Sequence, residues 1–354
     1  MGNLAITYQH IADILSFESS NKQLEKILNH SSFNWDAIVI EGSKHLVLPA
    51  IYCRLNDKQL LYVLPDELKT YLEQITSINR NRNEAILNQA ESISKLFNQN
   101  NIKHVFLKGT ALLFLGCFKD NAERMIGDID ILVSPNQSNA AYTLLTQNDY
   151  VSKELTIKER FFEHRHLPRL ISKHHIGAIE LHKELFALDN YNGLRFKNMI
   201  ANKSKPKTFN IPTQKQLLQH NILNYQINDE GMRYNSISFR SIYDTIALKN
   251  NNKDLKLIEE TKVFRHYYKY ASIFFNDLKT VHNSSSTFGA KFYLFKLKHI
   301  KFYKFWNWFI ELIYSIPILI NRAYLFIVNS TYRKVIFNDR IRVYKHLKSV
   351  FTKF

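Results

Sequence analysis

Asp128, Asp130 and Glu180 are the residues of this chain whose types and spacing point to chemistry. The first two stand in Asp128-Ile129-Asp130-Ile131-Leu132-Val133, a run that reads as a strand stopped by Ser134-Pro135-Asn136. Side chains two apart on a strand share a face, so the carboxylates lie side by side while Ile129, Ile131 and Val133 point the other way. Two such carboxylates repel each other unless a cation lies between them. They suit Mg2+, a hard ion that takes carboxylate oxygens together with water and phosphate oxygens. Glu180 belongs to a later predicted strand, Ile179-Glu180-Leu181-His182. A third carboxylate beside the pair is what a two-metal phosphoryl-transfer site requires.

Upstream, Leu107-Lys108-Gly109-Thr110 reads as a strand end, a turn and a helix start, with the helix over Ala111 to Phe118. Glycine lets a backbone approach a phosphate, Thr110 has a hydroxyl to donate, and a helix N-terminus offers N–H groups to an anion. Lys108 and Arg124 can supply positive charge against a triphosphate. Taken singly, an Asp-x-Asp is often a solvated strand edge and a Gly-Thr turn only a turn. Their order carries the argument: strand, Gly-Thr turn, helix, Asp-x-Asp strand, then a carboxylate on a hairpin strand.

That order resembles the nucleotidyltransferase superfamily that includes DNA polymerase β, kanamycin nucleotidyltransferase and CCA-adding enzymes. Phe106 to Leu112, Arg124 and Gly127 to Val133 are most similar to one bacterial branch. That branch has Lys-Gly before the helix, Arg four residues ahead of the first Asp, and an Asp-Ile-Asp-Leu-type strand. The similarity extends over most of residues 20–250, although only 106–133 carry a specific motif. The resemblance implies an α+β fold, with a small mixed sheet of the polymerase-β-like type between helical N- and C-terminal regions. It implies Asp128, Asp130 and Glu180 as metal ligands for Mg2+ or Mn2+, with Glu180 serving the attacking hydroxyl. Gly109 and Thr110 would contact the β- and γ-phosphates of an NTP, with Lys108 and Arg124 as further phosphate contacts. The implied reaction moves an NMP to an acceptor hydroxyl and releases pyrophosphate. Three departures stand out. Eighteen residues separate Gly109 from Asp128, Thr110 replaces the commoner Ser or Gly, and Glu180 replaces Asp.

The rest of the chain must position these groups. Residues 1–100 read as a helical N-terminal region, in which Ile86 to Phe97 form an amphipathic helix. Residues 101–200 are the mixed α/β part: strands near 102–107 and 128–133, a helix from Asn139 to Leu145, and two strands, His166 to Ile171 and Ile176 to Leu181. After Lys205-Pro206, residues 201–354 read as a basic helical domain, interrupted by polar loops at Asn250–Asp254 and Asn283–Ser286.

The chain has 354 residues, 45% of them hydrophobic, which is enough for two or three domains of roughly 100–200 residues with a real core. Nine glycines and seven prolines exclude a collagen-like chain or a turn-dense all-β one. Cys53 and Cys117 are isolated, which argues against a disulfide scaffold or a cysteine zinc site. With no leader pattern at the start, and Ile6 where myristoylation wants Ser or Thr, a reducing cytoplasmic setting is expected.

Net charge is +17, and residues 291–354 hold thirteen Lys and Arg against Glu311 and Asp339, a net +11. Such a region attracts RNA, DNA or anionic lipid, or is simply a solvated helical surface. The most apolar stretch, Phe302 to Val328, is interrupted by Glu311, Pro317 and Asn321-Arg322. No transmembrane span is therefore expected; an interfacial helix in peripheral contact with an anionic membrane, or a core helix, fits better. The acceptor is open between RNA, a protein hydroxyl and a small molecule. The alternative function is a catalytically inactive module of the same fold, binding RNA or an anionic membrane through its basic C-terminal domain.

Three further features have a plain reading beside a functional one, and His220 has only a plain one. His182 is either a partner to the acids or a partly exposed strand histidine, and the plainer reading is preferred. His164, His166, His174 and His175 form a solvated turn or, less simply, a zinc site. Arg240 and Asp244, four apart on a helix, make an ion pair or face the cleft. His220 reads as structural.

Overall fold

The computed structural model describes residues 3–152, 161, 166–186, 191–201, 209–257, 261–279 and 287–352. His164, Lys205-Pro206 and the loop at 283–286 lie outside them. The chain opens with helices α1 (Leu4–Leu15), α2 (Asn21–Leu28), α3 (Trp35–Lys44), α4 (Leu48–Asp57) and α5 (Asp66–Gln99). The sheet follows: β1 (His104–Phe106), β2 (Asp128–Val133), β3 (Tyr150–Ser152), β4 (Leu170–Ser172) and β5 (Ala178–His182). Helices α6 (Lys108–Leu115) and α7 (Ser138–Thr146) follow β1 and β2. Strand order is β1-β2-β5-β4-β3; β2 and β5 run parallel and the other neighbours antiparallel.

This is the expected α+β architecture, a small mixed sheet between helical regions. Strand β3 has no counterpart among the sequence expectations, because three residues are too few for an alternation to show. Helix α6 starts at Lys108 rather than Ala111. It ends at Gly116, whose φ of +71° supplies the left-handed cap that stops it short of Phe118.

Helix α5 is the scaffold. Its buried stripe contains Leu72, Ile86, Ala90, Ile93 and Phe97, and also Asn79, Asn83 and Gln89. Buried amides need partners. Gln89 finds Gly177, donating to its carbonyl at 2.8 Å and accepting from its N–H at 2.9 Å. Asn79 and Asn83 donate to the carbonyls of Ala122, Asn121 and Arg124 at 2.6–2.8 Å. Arg80 grips Asp120 through two nitrogens. The long segment between Gly109 and Asp128 is thus tied down along one helix face.

On the C-terminal side come α8 (Phe196–Ala201), α9 (Gln214–Leu223), α10 (Gly231–Tyr234), α11 (Phe239–Asn251), α12 (Lys262–Ala271) and α13 (Phe288–Lys298). Then follow α14 (Ile300–Val328), α15 (Ser330–Asn338) and α16 (Arg340–Thr352). One apolar cluster runs from Ala5 to Leu297. Helix α14 behaves differently. It continues for 29 residues through Glu311, Pro317 and Arg322, where interruption was expected, and none of its residues is buried. It is not a core helix, and its length and composition would suffice to cross a membrane.

Burial lowers the pKa of His220 to about 3, and those of His45 and His266 to about 4. The unfolded chain protonates these rings below about pH 6.5, while the fold keeps them neutral. Their contribution to stability is complete above that value and is lost as pH falls toward the folded pKa values. Urea unfolding should therefore show stability dropping between about pH 7 and about pH 5. His220→Gln should lower that slope by at most about 1.4 kcal/mol per pH unit. An unchanged slope in the variant would contradict the assignment.

Candidate active site

Parallel pairing of β2 with β5 sets Asp130 opposite Glu180 and Asp128 opposite Ala178. Ile129 lies opposite Ile179, and Ile131 opposite Leu181; all four are buried on the other face. Apolar packing behind the sheet thereby holds two carboxylates next to each other in front of it. His182, two residues beyond Glu180, joins the same face.

Asp130 is 6% exposed. A buried carboxylate needs partners, and its Oδ1 has two. The Lys108 ammonium donates to it at 2.6 Å and His182 Nε2 at 2.8 Å. Burial opposes the charge, yet Lys108 and His182 outweigh it and hold the carboxyl well below the usual carboxylate range. Conversely, burial works against the Lys108 charge, but Asp130 and Glu180 keep its pKa above the ordinary value. Lys108 reaches this position from a backbone φ of +49°. Gly109 follows because nothing larger fits: a Cβ there would lie 2.2 Å from Ile126 Cγ2. Thr110 is buried, and its Oγ1 has no hydrogen-bond partner.

Asp128 sits at the outer edge, about one-third exposed, and ion-pairs with Arg169. The same guanidinium lies 3.6 Å from Glu180 Oε1. Asp130, Glu180 and His182 bring ligand atoms within 4.8 Å of one another, a group able to hold a metal ion. Of the three acids singled out in the sequence, two converge directly and the third stands beside them against Arg169. His182 proves to be buried against Asp130, contrary to the preferred sequence reading. Its two-residue offset from Glu180 was the available signal. Nothing in the sequence flagged Arg169.

Arg124 follows the 3-10 turn Asn121–Glu123 and points into the protein. Its Nε donates to both oxygens of Asp244 on α11, at 2.8 and 3.0 Å. Asp244 thus bonds to Arg124, whereas Arg240 was the partner expected from helical spacing. Arg240 lines a cleft shared with Lys108, Arg124, His220, Asn224 and Asp229. Burial and the neighbouring Arg124 charge lower the Arg240 pKa, and burial raises that of Asp229. The cleft thus gathers cationic groups directly beside the acidic face.

The histidine turn gives no metal cluster among the described residues. His174 and His175 are exposed, and His166 packs edge-on against His182 at 5.7 Å.

The Arg124–Asp244 pair is desolvated on both sides, so losing one partner strands the other. Arg124→Met should destabilise the protein by about 3–5 kcal/mol. The double variant Arg124→Met/Asp244→Leu should recover most of that loss in urea unfolding. Additive losses would show that the two side chains act independently.

Comparison with curated proteins gives no match. One family model, described as uncharacterised nucleotidyltransferase, matches residues 31–261. The matched span runs from α3 past α11 and takes in the whole sheet, the acidic face and the Arg124–Asp244 pair. With about two-thirds of its length matched, this chain belongs to the uncharacterised nucleotidyltransferase family.

Proposed function

We propose that the protein transfers an NMP from an NTP to an acceptor hydroxyl. The acceptor hydroxyl gives up its proton to solvent as its oxygen bonds to the α-phosphorus, the bond from that phosphorus to the α–β bridging oxygen breaks, and pyrophosphate leaves. The observation that carries this reading is the convergence of Asp130, Glu180 and His182 on one face, beside a cleft bearing Lys108 and Arg240. Acids collect a cation and bases collect phosphates; adjacency of the two is what nucleotidyl transfer needs.

The donor set fits a hard divalent ion, Mg2+ or Mn2+, with Asp130 and Glu180 supplying oxygens and Asp128 available at the edge. Such an ion would neutralise charge on the attacking and leaving oxygens. The chain's own groups have separable roles in this reading. Lys108 and His182 keep Asp130 ionised and fix its orientation. Lys108 and Arg240 face the polyphosphate, while Gly109 lets the first turn of α6 approach it. Arg124 serves by holding α11 to the site rather than as a free phosphate contact. The unpartnered Thr110 hydroxyl is a donor in reserve beneath that turn. A cytosolic setting goes with an NTP substrate and two free cysteines.

One observation favours a second reading. Lys108 and Arg169 already neutralise the acidic face, as they would in an inactive module that binds through its basic C-terminal helices.

Label transfer from each of the four α-phosphate-labelled NTPs, with Mg2+ or Mn2+ and fractionated cellular RNA, protein and small molecules, separates the two readings. Label should enter one fraction, and Asp128→Asn/Asp130→Asn should lower the rate by about a hundredfold or more, with unchanged circular dichroism. Label in no fraction, with NTP bound equally poorly by both proteins, would overturn the transfer reading and favour the module reading.

A further inference from the structure

Helix α14 is amphipathic in the reverse sense to a helix packed on a soluble protein. Phe309, Ile313, Ile316, Ile320, Tyr324 and Ile327 succeed one another at offsets of four, three, four, four and three. At about 100° per residue they fall within roughly 80° of arc. All six are exposed, from 39% at Phe309 to 73% at Ile327. The polar residues Asn307, Glu311, Ser315 and Arg322 line the other side and are all less exposed than the stripe. That side meets the body: Tyr303 packs on the core, and the Arg233 guanidinium stacks over the Tyr314 ring at 4.2 Å. In its first half the helix thus turns its less apolar side toward the protein and the stripe toward solvent, while Tyr314 and Ile318 remain exposed at 47% and 48% off the stripe.

The surrounding charge identifies what covers this stripe. Residues 291–354 carry a net +11. Lys296 is buried, donating to the Tyr234 carbonyl, and takes no part. Lys298, Lys301 and Lys304 precede the stripe, and Arg333, Lys334 and Arg340 follow it. A second copy would oppose like charge to like charge. A polynucleotide would satisfy the charge and leave the isoleucines in water. A bilayer with anionic headgroups satisfies both. We infer that α14 anchors the protein to an anionic lipid bilayer, lying in the plane of its surface with the apolar stripe at the acyl boundary. Though its length and composition would allow it to span, the in-plane orientation is favoured by Glu311 and Arg322 within the helix and by the contacts of Tyr303 and Tyr314 with the body. Trp306 stands at the N-terminal end of the stripe, an amphipathic ring of the kind enriched at membrane interfaces.

The experiment is flotation of the full chain with phosphatidylcholine vesicles and with vesicles also containing phosphatidylglycerol, at low and high salt. Binding to the anionic vesicles should be at least about ten-fold stronger than to the neutral ones and should weaken with salt. Ile316→Asp/Ile320→Asp should reduce it by about ten-fold or more with unchanged circular dichroism. If that variant fails to fold, quenching of wild-type tryptophan fluorescence by bromine-labelled lipid replaces it, and quenching is expected. Equal or absent flotation with both compositions would overturn the inference, as would absent quenching. So would a dimer, seen by sedimentation without lipid, that the aspartate variant splits while vesicles go unbound. Resistance of the vesicle-bound protein to alkaline carbonate would overturn the in-plane orientation.

Discussion

Two carboxylates face the same way across adjacent parallel strands, and much of the molecule answers to that placement. Asp130 and Glu180 occupy register partners on β2 and β5. Their repulsion cannot be relieved by moving either strand, because Ile129, Ile131, Ile179 and Leu181 are packed behind them. Relief must come from cations brought to the front. Lys108 comes from the start of α6, His182 from the end of β5, and Arg169 from the approach to β4. Each arrives from a different element, so the acidic face fixes how those elements meet.

Such a network is a poor device for stability alone. Burying ions costs desolvation, and well-packed apolar side chains of similar size often do as well or better. The same holds for Arg124 and Asp244, which tie the segment before β2 to α11 through a largely buried pair. Charge buried at this cost is better explained by what it does at the cleft. It keeps Asp130 ionised, keeps Lys108 charged, and sets cations beside anions on one face.

The C-terminal helices follow another rule. The core cluster ends at Leu297, and α14 buries none of its residues, touching the body through Tyr303 and Tyr314. The acidic face and the basic, exposed helix thus lie in different parts of the chain, each with its own electrostatic logic.

Much of this was legible in the sequence because it is local. Strand alternation put Asp128 and Asp130 on one face, the polar break at Asn98–Asn101 ended α5, and Lys108-Gly109-Thr110 marked the turn into a helix. The family pattern came from the same short stretch, and the excess of basic residues at the C-terminus needed only counting. What the sequence could not determine were partners far apart along it. Arg124 pairs with Asp244 across 120 positions, so the nearer Arg240 looked like the partner. His182 meets Asp130 across 52, which local alternation cannot reveal. The eighteen-residue gap looked anomalous until Asn79, Arg80 and Asn83 were seen to hold it. The sense of α14 was likewise undetermined: periodicity shows that a helix has two faces, but only packing decides which one turns toward the protein.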